Sequence, residues 1–481
     1  MIFITTWAMP IIQTVVSAAL LFIVISSGLL PGKFLGIAAA VIALLLLITI
    51  LFARSKSGAT RSLGSILAIF MSGMLVFAIV YFQHIMKTLD QIAGADTQIE
   101  NVAVFVQNSS AAAGIEDTKG FRFGVYGDAE EESIAAVISE IEEATGETPQ
   151  TQSFGSPLAL AQGLIDGEVD ATICNKAYMD ILDEAIPDYE SKTKVIYEKE
   201  FETVISDTEV ADNSASQEKK SDKLTDHAYT VLISGIDVSG PISTTSRSDV
   251  NILMTVNPLT HKILLTTTPR DYYVYIPNIS GDMRDKLTHA GIYGVKTSMR
   301  TLENLYGIEI SDYIRINFDS LIQLVDALGG VDVYSEYTFD SGDYHFVAGT
   351  NHLDGEAALA FSRTRYAFAE GDRQRGKNQM QVLTAIINKL QSPALLSNPS
   401  EVLDVAGRSM QTSFKTRQIT EMISWQLDNG ESWDIERQAV SGEGDSQQTF
   451  SMRGTDLYVM WPDEDDVNAA AERIREVMEE K

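Results

Sequence analysis

The sequence predicts a mixed α/β protein anchored in a membrane: three amino-terminal transmembrane helices, a small α/β unit and a larger α/β unit. Three observations predict it. The first 83 residues contain three long apolar runs, the rest alternates β-branched runs with capped amphipathic stretches, and a polar, charged run at 206–223 parts two such alternating regions. A chain of 481 residues exceeds the roughly 100 to 200 of one ordinary domain. Boundaries are therefore expected at 1–83 for the anchor, 99–205 for the small accessory unit, 206–228 for a linker and 229–481 for the larger unit with its carboxyl-terminal extension.

The apolar runs are Pro10 to Leu30, Phe34 to Ala53 and Leu63 to Phe82. Each approaches the roughly 20 residues that a helix needs to cross a bilayer. Globular helices rarely run uncharged for this long three times in succession, and the single short apolar run behind a basic flank that marks a cleavable signal is missing. Arg54, Lys56 and Arg61 lie between the second and third runs, whereas only Lys33 separates the first two. Basic loops stay in the cytoplasm, so the chain beyond about Gln83 is expected outside the cell, as the bulk of a multi-pass cell-membrane protein.

A formal net charge of −30 argues against nucleic acid as a partner, because a phosphate backbone is normally met by a basic face. Cys174 is the only cysteine, so no intrachain disulfide can form.

In the accessory unit Phe121 to Gly127 reads as a strand, Asp128 as the cap of a helix running to Ala144, and Gly146 as its stop. Ser156 and Pro157 open a second helix that Gly167 closes, and Val169 to Cys174 is a further strand, which together make a small βαβ-type unit. Asp166, Glu168 and Asp170 read as a solvated loop rim.

In the larger unit, a strand from Tyr229 to Ile233 presents Asp237 at its end. Arg247 and Asp249 stand at the mouth of the strand Val250 to Val256, the turn Pro258 to His261 leads to Lys262 to Thr268, and Arg270 and Asp271 follow. Strand ends of α/β sheets are where sites collect. Asp285 and Lys286 come next, then a helix from about Ser298 to Tyr306 stopped by Gly307. Asp319 is expected to cap a helix whose Leu321, Ile322, Leu324, Val325 and Leu328 make it a buried one, ended by Gly329 and Gly330. After the strand Val331 to Ser335, Asp354 caps a short helix. The tail reads as a helix near Thr416 to Leu427, strands at Trp433 to Val440 and Leu457 to Trp461, and a last helix from Asp463 whose apolar stripe is Val467, Ala470, Ala471, Ile474 and Val477.

The stretch Phe361 to Gln379 concentrates Arg363, Arg365, Arg373, Arg375 and Lys377 in an acidic protein. If Ser362 to Tyr366 is extended, Arg363 and Arg365 share a side, while Asp372, Arg375 and Gln379 share one face of a helix. Planar guanidinium donors grip phosphate oxygens in pairs, so a phosphate or pyrophosphate is the expected ligand. The competing reading is a basic helix start paired with local acids on the surface.

The motifs GID (235–237), RSD (247–249), PRD (269–271), DK (285–286), DALGGVDV (326–333), FSRTR (361–365) and GDRQRGKNQ (371–379) resemble, in this order and spacing, the LytR-CpsA-Psr family of cell-envelope proteins. The resemblance covers Tyr229 to Leu390, and the three spans followed by an accessory unit are similar to CpsA-type members of streptococcal capsule clusters. It implies an extracytoplasmic phosphotransferase that moves a glycopolymer from a polyprenyl-pyrophosphate carrier to peptidoglycan. Carried over by residue, Asp237 and Asp249 would hold a magnesium ion, and Arg247, Arg270, Lys286, Arg363, Arg365, Arg375 and Gln379 would hold the pyrophosphate. Arg270, Asp372 and Arg375 form the expected catalytic set. Asp372 would orient the arginines and is the first candidate to deprotonate the attacking hydroxyl, with a metal-bound water as the alternative. Arg373 reads as peripheral and His289 as a packing or capping residue. The implied partners are the lipid-linked polysaccharide, the peptidoglycan acceptor and capsule-biosynthesis proteins. The alternative function is a precursor-binding regulator or scaffold without turnover.

Overall fold

The structure is a computed structural model that describes residues 2–94, 97–126, 131–205, 223–236, 241–368, 370–391 and 399–481. Three helices come first: α1 (Ile2–Ser27), α2 (Gly32–Ala53) and α3 (Gly58–Ile92). All three are long and apolar enough to cross a membrane. The third runs well past the expected end at Phe82, and its 35 residues span about 50 Å at 1.5 Å per residue, more than the roughly 30 Å of a hydrocarbon core. Phe82, Ile85, Leu89 and Ile92 on that extension are buried against Leu403, Ala406, Ile419 and Ile423 of the large unit. Thr88 Oγ1 donates to Asp404 Oδ1 (3.2 Å) and Thr416 Oγ1 to Asp90 Oδ1 (2.6 Å).

The accessory unit comprises β1 (Thr97–Gln107), β2 (Arg122–Tyr126), α4 (Glu132–Thr145), β3 (Gln150–Phe154), α5 (Pro157–Ile165), β4 (Ala171–Asn175), α6 (Met179–Ala185), α7 (Tyr189–Lys192) and β5 (Thr193–Val204). Its sheet has the order β3-β2-β4-β1-β5, with β2 parallel to both β3 and β4. Alternation along β1 sends Val102, Val104 and Val106 to one core and Ala103 and Phe105 to the other. Ser156 caps α5 by accepting from Ala159 N, and Gly146 ends α4 in the left-handed conformation. The expected cap Asp128 and the linker residues 206–222 lie outside the described residues.

The large unit contains β6 (Tyr229–Ile236), β7 (Ser248–Asn257), β8 (Lys262–Thr267), β9 (Tyr273–Val274), β10 (Asp285–Lys286), α8 (Val295–Tyr306), β11 (Asp312–Asn317), α9 (Phe318–Ala327), β12 (Val331–Ser335), β13 (Phe339–Ser341), β14 (Tyr344–Phe346), β15 (Gly349–Leu353), α10 (Gly355–Arg363), α11 (Asp372–Leu390), α12 (Pro399–Ser409), β16 (Met410–Thr412), α13 (Thr416–Asn429), β17 (Asp434–Ala439), β18 (Gly442–Gln448), β19 (Asp456–Pro462) and α14 (Glu464–Glu479). The central sheet has six strands in the order β16-β11-β6-β7-β8-β17, with β11 parallel to β6 and β17 parallel to β8. It is covered on both faces. Leu232, Leu253 and Leu264 face the stripe Val467, Ala470, Ala471, Ile474 and Val477 of α14 together with Met299 and Leu302 of α8. Val231, Ile233, Ile252 and Leu265 point the other way, onto Met380 of α11 and Met422 of α13. A sheet covered on both faces accounts for the unbroken burial along β6, which includes Thr230 and Ser234.

Two local expectations change. Asn317, not Asp319, caps α9: its side chain accepts from Ser320 N, and Ser320 Oγ accepts from Asn317 N in return. The chain turns into the helix directly at the end of β11, so the cap falls on the last strand residue and Asp319 sits in the first helical turn. Of the five apolar residues expected to bury there, Leu324, Val325 and the cap residue Leu328 are buried, whereas Leu321 and Ile322 are half-buried.

Candidate functional site

The elements of the central sheet bring one set of charges to one end. β6 and β8 finish there, β7 starts there, and α11 points its first turn at the same place. A pocket at this end is lined by Asp249, Asn251, Thr267, Thr268, Arg270, Asp372, Arg373, Arg375, Gly376 and Gln379. α11 reaches it because residue 376 is glycine. A Cβ there would meet the Thr267 side chain at 3.0 Å.

Asp249 lies at the start of β7. Arg270 Nη1 donates to its Oδ2 (2.7 Å) and Thr288 Oγ1 to its Oδ1 (2.9 Å). Burial pushes this carboxyl up, but Arg270, Arg247, the Thr288 hydroxyl and Arg375 outweigh burial and hold it below the usual carboxylate range. Arg270 is opposed by burial in the same way, and Asp249, Asp271, Asp372 and Glu184 keep its guanidinium above its ordinary value. Lys286, almost wholly buried on β10, places Nζ 3.1 Å from Asp271 Oδ1 and 3.0 Å from Glu184 Oε1. On α11, Asp372 and Arg375 are paired at i and i+3. Burial raises the Asp372 carboxyl above its usual range and Asp271 adds to the effect, against Arg375, Arg270 and Arg365. Burial also lowers the Arg375 guanidinium, with Arg270 and Arg365 repelling it and Asp372 and Asp249 supporting it. Nε of both Arg247 and Arg270 is buried without a hydrogen-bond partner among the described residues. A buried donor left unpaired is costly, so these two N–H groups are suited to an incoming acceptor.

The sequence-predicted residues divide. Asp249, Arg270, Asp372, Arg375 and Gln379 line the pocket, and Lys286 joins them through Asp271. Arg247 joins through Glu184, which it shares with Lys286. Arg373 also lines the pocket, contrary to the expectation that it is peripheral. Asp237 lies outside the described residues. The expected pair on an extended chain is corrected: Ser362 and Arg363 are the last residues of α10, and Thr364 is its extended cap. Arg363 stacks 4.5 Å over the Phe318 ring, whereas Arg365 donates to Tyr366 Oη (3.1 Å) and acts on Asp372 and Arg375. His289 is buried, with Nδ1 2.6 Å from Asp285 Oδ1 and 2.8 Å from Ser451 Oγ, which is a packing role.

Sequence reasoning missed Asp180 and Glu184 on α6, Thr288, and Arg315. Arg315 is fully buried, and burial lowers its guanidinium to about 10. It donates to Gln411 Oε1 (3.1 Å) and to Thr244 O (3.0 Å), which anchors the loop that carries Arg247. Its placement on an apolar strand was the available signal; the partners were not.

Among the described residues no three His, Cys, Asp or Glu side chains gather as a metal cluster. An ionised Asp249 nevertheless fits a magnesium ion, which takes one or two carboxylates and completes its shell with phosphate oxygens and water.

The family model described as the LytR_cpsA_psr family matches residues 196–470, more than half of the chain. A polyisoprenyl-teichoic acid–peptidoglycan teichoic acid transferase TagU from Oceanobacillus iheyensis is 35% identical over 205 residues, covering 41% of this chain and 62% of that protein. The protein of the same name from Enterococcus faecalis is 38% identical over 187 residues, covering 38% of this chain and 61% of the relative. The chain thus spans about three-fifths of the length of these relatives. Among solved structures, B. subtilis TagU is 27% identical with a TM-score of 0.42, covering 53% of this chain and 98% of that one. TagT bound to LIIa-WTA is 27% identical with a TM-score of 0.44, covering 54% and 94%.

Proposed function

The chain belongs to the LytR-CpsA-Psr family, and from that premise we propose that it is an extracytoplasmic phosphotransferase. It moves a capsular or teichoic-acid-like glycopolymer from a polyprenyl-pyrophosphate carrier to peptidoglycan. The observation that carries this reading is the convergence of Arg247, Arg270, Lys286 and Arg375 on one end of the sheet, two of them with a buried N–H to spare. The transferase names of the relatives support the reaction class.

In the reaction the acceptor hydroxyl oxygen attacks the glycan-bearing phosphorus, the bond to the bridging oxygen breaks, and polyprenyl phosphate leaves with the electron pair. Arg247, Arg270, Lys286, Arg363, Arg365, Arg375 and Gln379 hold the pyrophosphate oxygens and offset the charge that develops on them. Asp372 receives the hydroxyl proton. A carboxyl raised by burial is a stronger base once ionised, which suits the task. Asp249, with Asp237, would hold magnesium, whose charge would further neutralise the phosphate oxygens. The three apolar helices and the basic loop at Arg54, Lys56 and Arg61 support a multi-pass cell-membrane protein with its bulk outside. Capsule-biosynthesis proteins are further partners under this reading.

The test is glycan transfer by the full-length chain in detergent, from a synthetic polyprenyl-pyrophosphate glycan to a peptidoglycan fragment. Arg270→Ala is expected to lose a factor of about 100 or more. Binding without transfer or hydrolysis by the unaltered protein, with magnesium present, would leave only the regulator or scaffold reading.

A further inference from the structure

Helix α6 belongs to the accessory unit, yet its acidic side chains end in the site of the large one. The two units are joined beside it: Tyr178, Ile181 and Leu182 pack with Ile292, Met452 and Leu457. Backbone hydrogen bonds also cross, from Ile99 N to Ser243 O (2.9 Å) and from Thr245 N to Ile99 O (2.8 Å). Asp180 and Glu184, spaced i and i+4, therefore stand on one face of α6. Asp180 Oδ2 is 3.4 Å from Arg247 Nη2. Glu184 spans two cations, with Oε2 3.8 Å from Arg247 Nη1 and Oε1 3.0 Å from Lys286 Nζ. The contacts continue through Asp271 to Arg270 and Asp249, so that acids and bases alternate from the accessory helix to the floor of the pocket.

We propose that Asp180 and Glu184 are positioning residues of the transferase site, through which the accessory unit fixes Arg247 and Lys286 for the pyrophosphate. Two cations close enough to share one carboxylate repel each other when it is absent. A buried ammonium also needs its charge compensated. The loose Asp180 and Glu184 contacts engage the Nη atoms of Arg247 and leave Nε for a phosphate oxygen. The accessory unit is thereby part of the active site and not an appendage.

This inference rests on the pyrophosphate reading of the site, and the experiment separates the two. Full-length protein in detergent is titrated with geranylgeranyl pyrophosphate, and glycan transfer is measured in parallel. Glu184→Gln, alone and with Asp180→Asn, is expected to weaken binding about tenfold and to raise KM about as much. kcat and the unfolding temperature should stay close to those of the unaltered chain, and Glu184→Asp should recover part of the loss. Unchanged binding in the double variant overturns the proposal. Tighter binding overturns it too, because the acids would then compete with the pyrophosphate. Weakened binding in a protein whose unaltered form transfers nothing would support the positioning role and count against the transferase reading alone.

Discussion

At the scale of single residues the site depends on which charges share a partner. Arg365 and Arg375 both act on Asp372, whereas Arg363 rests on Phe318. Losses from Arg365→Ala and Arg375→Ala should therefore be non-additive. Double-mutant cycles on geranylgeranyl pyrophosphate binding check this; additive losses would mean that the two guanidiniums share no partner. Asp372 sets a second expectation. Its carboxyl is raised by burial, and the base is the ionised form, so kcat/KM should climb with pH through a limb above the ordinary value of about 4. Asp372→Asn should flatten that limb and cost about 100-fold or more in rate. An unshifted limb in the variant would give the base role to another group.

Among the elements, α9 and α11 control how the site is framed, since both begin at the loaded end of the sheet. The cap of α9 is Asn317, with Ser320 N donating to its Oδ1 at 2.8 Å. Asn317→Ala should cost about 1 kcal/mol, within a range of roughly 0.5 to 2. Asp319→Ala removes only a carboxylate near the positive end of the helix, worth about 0.3 to 1 kcal/mol. Denaturant unfolding of the two variants ranks them, and an equal or larger loss from Asp319→Ala would return the cap to that residue.

For the whole molecule, α3 is one continuous helix that leaves the apolar span and docks on the large unit through Leu89, Ile92, Leu403 and Ile419. Under the proposed function this docking would hold the site at a set height over the membrane, as a carrier whose lipid stays in the bilayer requires. If the Arg54, Lys56 and Arg61 loop is cytoplasmic, a protease that cannot enter protoplasts should digest everything beyond the docked helix. Full protection would invert the topology.

What the sequence determined by itself follows from local physics. The presence of three apolar helices, helix stops such as Gly146 and Gly307, and the apolar stripe of α14 each need only neighbours along the chain, and each is found where the residues placed it. Strand ends made Asp249 and Arg270 legible and a helix face Asp372, Arg375 and Gln379; that the two groups belong to one site was what the family resemblance implied, and one pocket is lined by all five. The tertiary structure alone decided the rest. Whether Arg363 and Arg365 share a side depended on where α10 stops, with Phe361 of its last turn packed into the core that β12 to β15 share. That Glu184 meets Lys286, or that Arg315 secures the loop before Arg247, depends on two units being docked, which no local pattern encodes. Charge pairs across such distances in the chain carry no periodicity, and so only the folded arrangement reveals them.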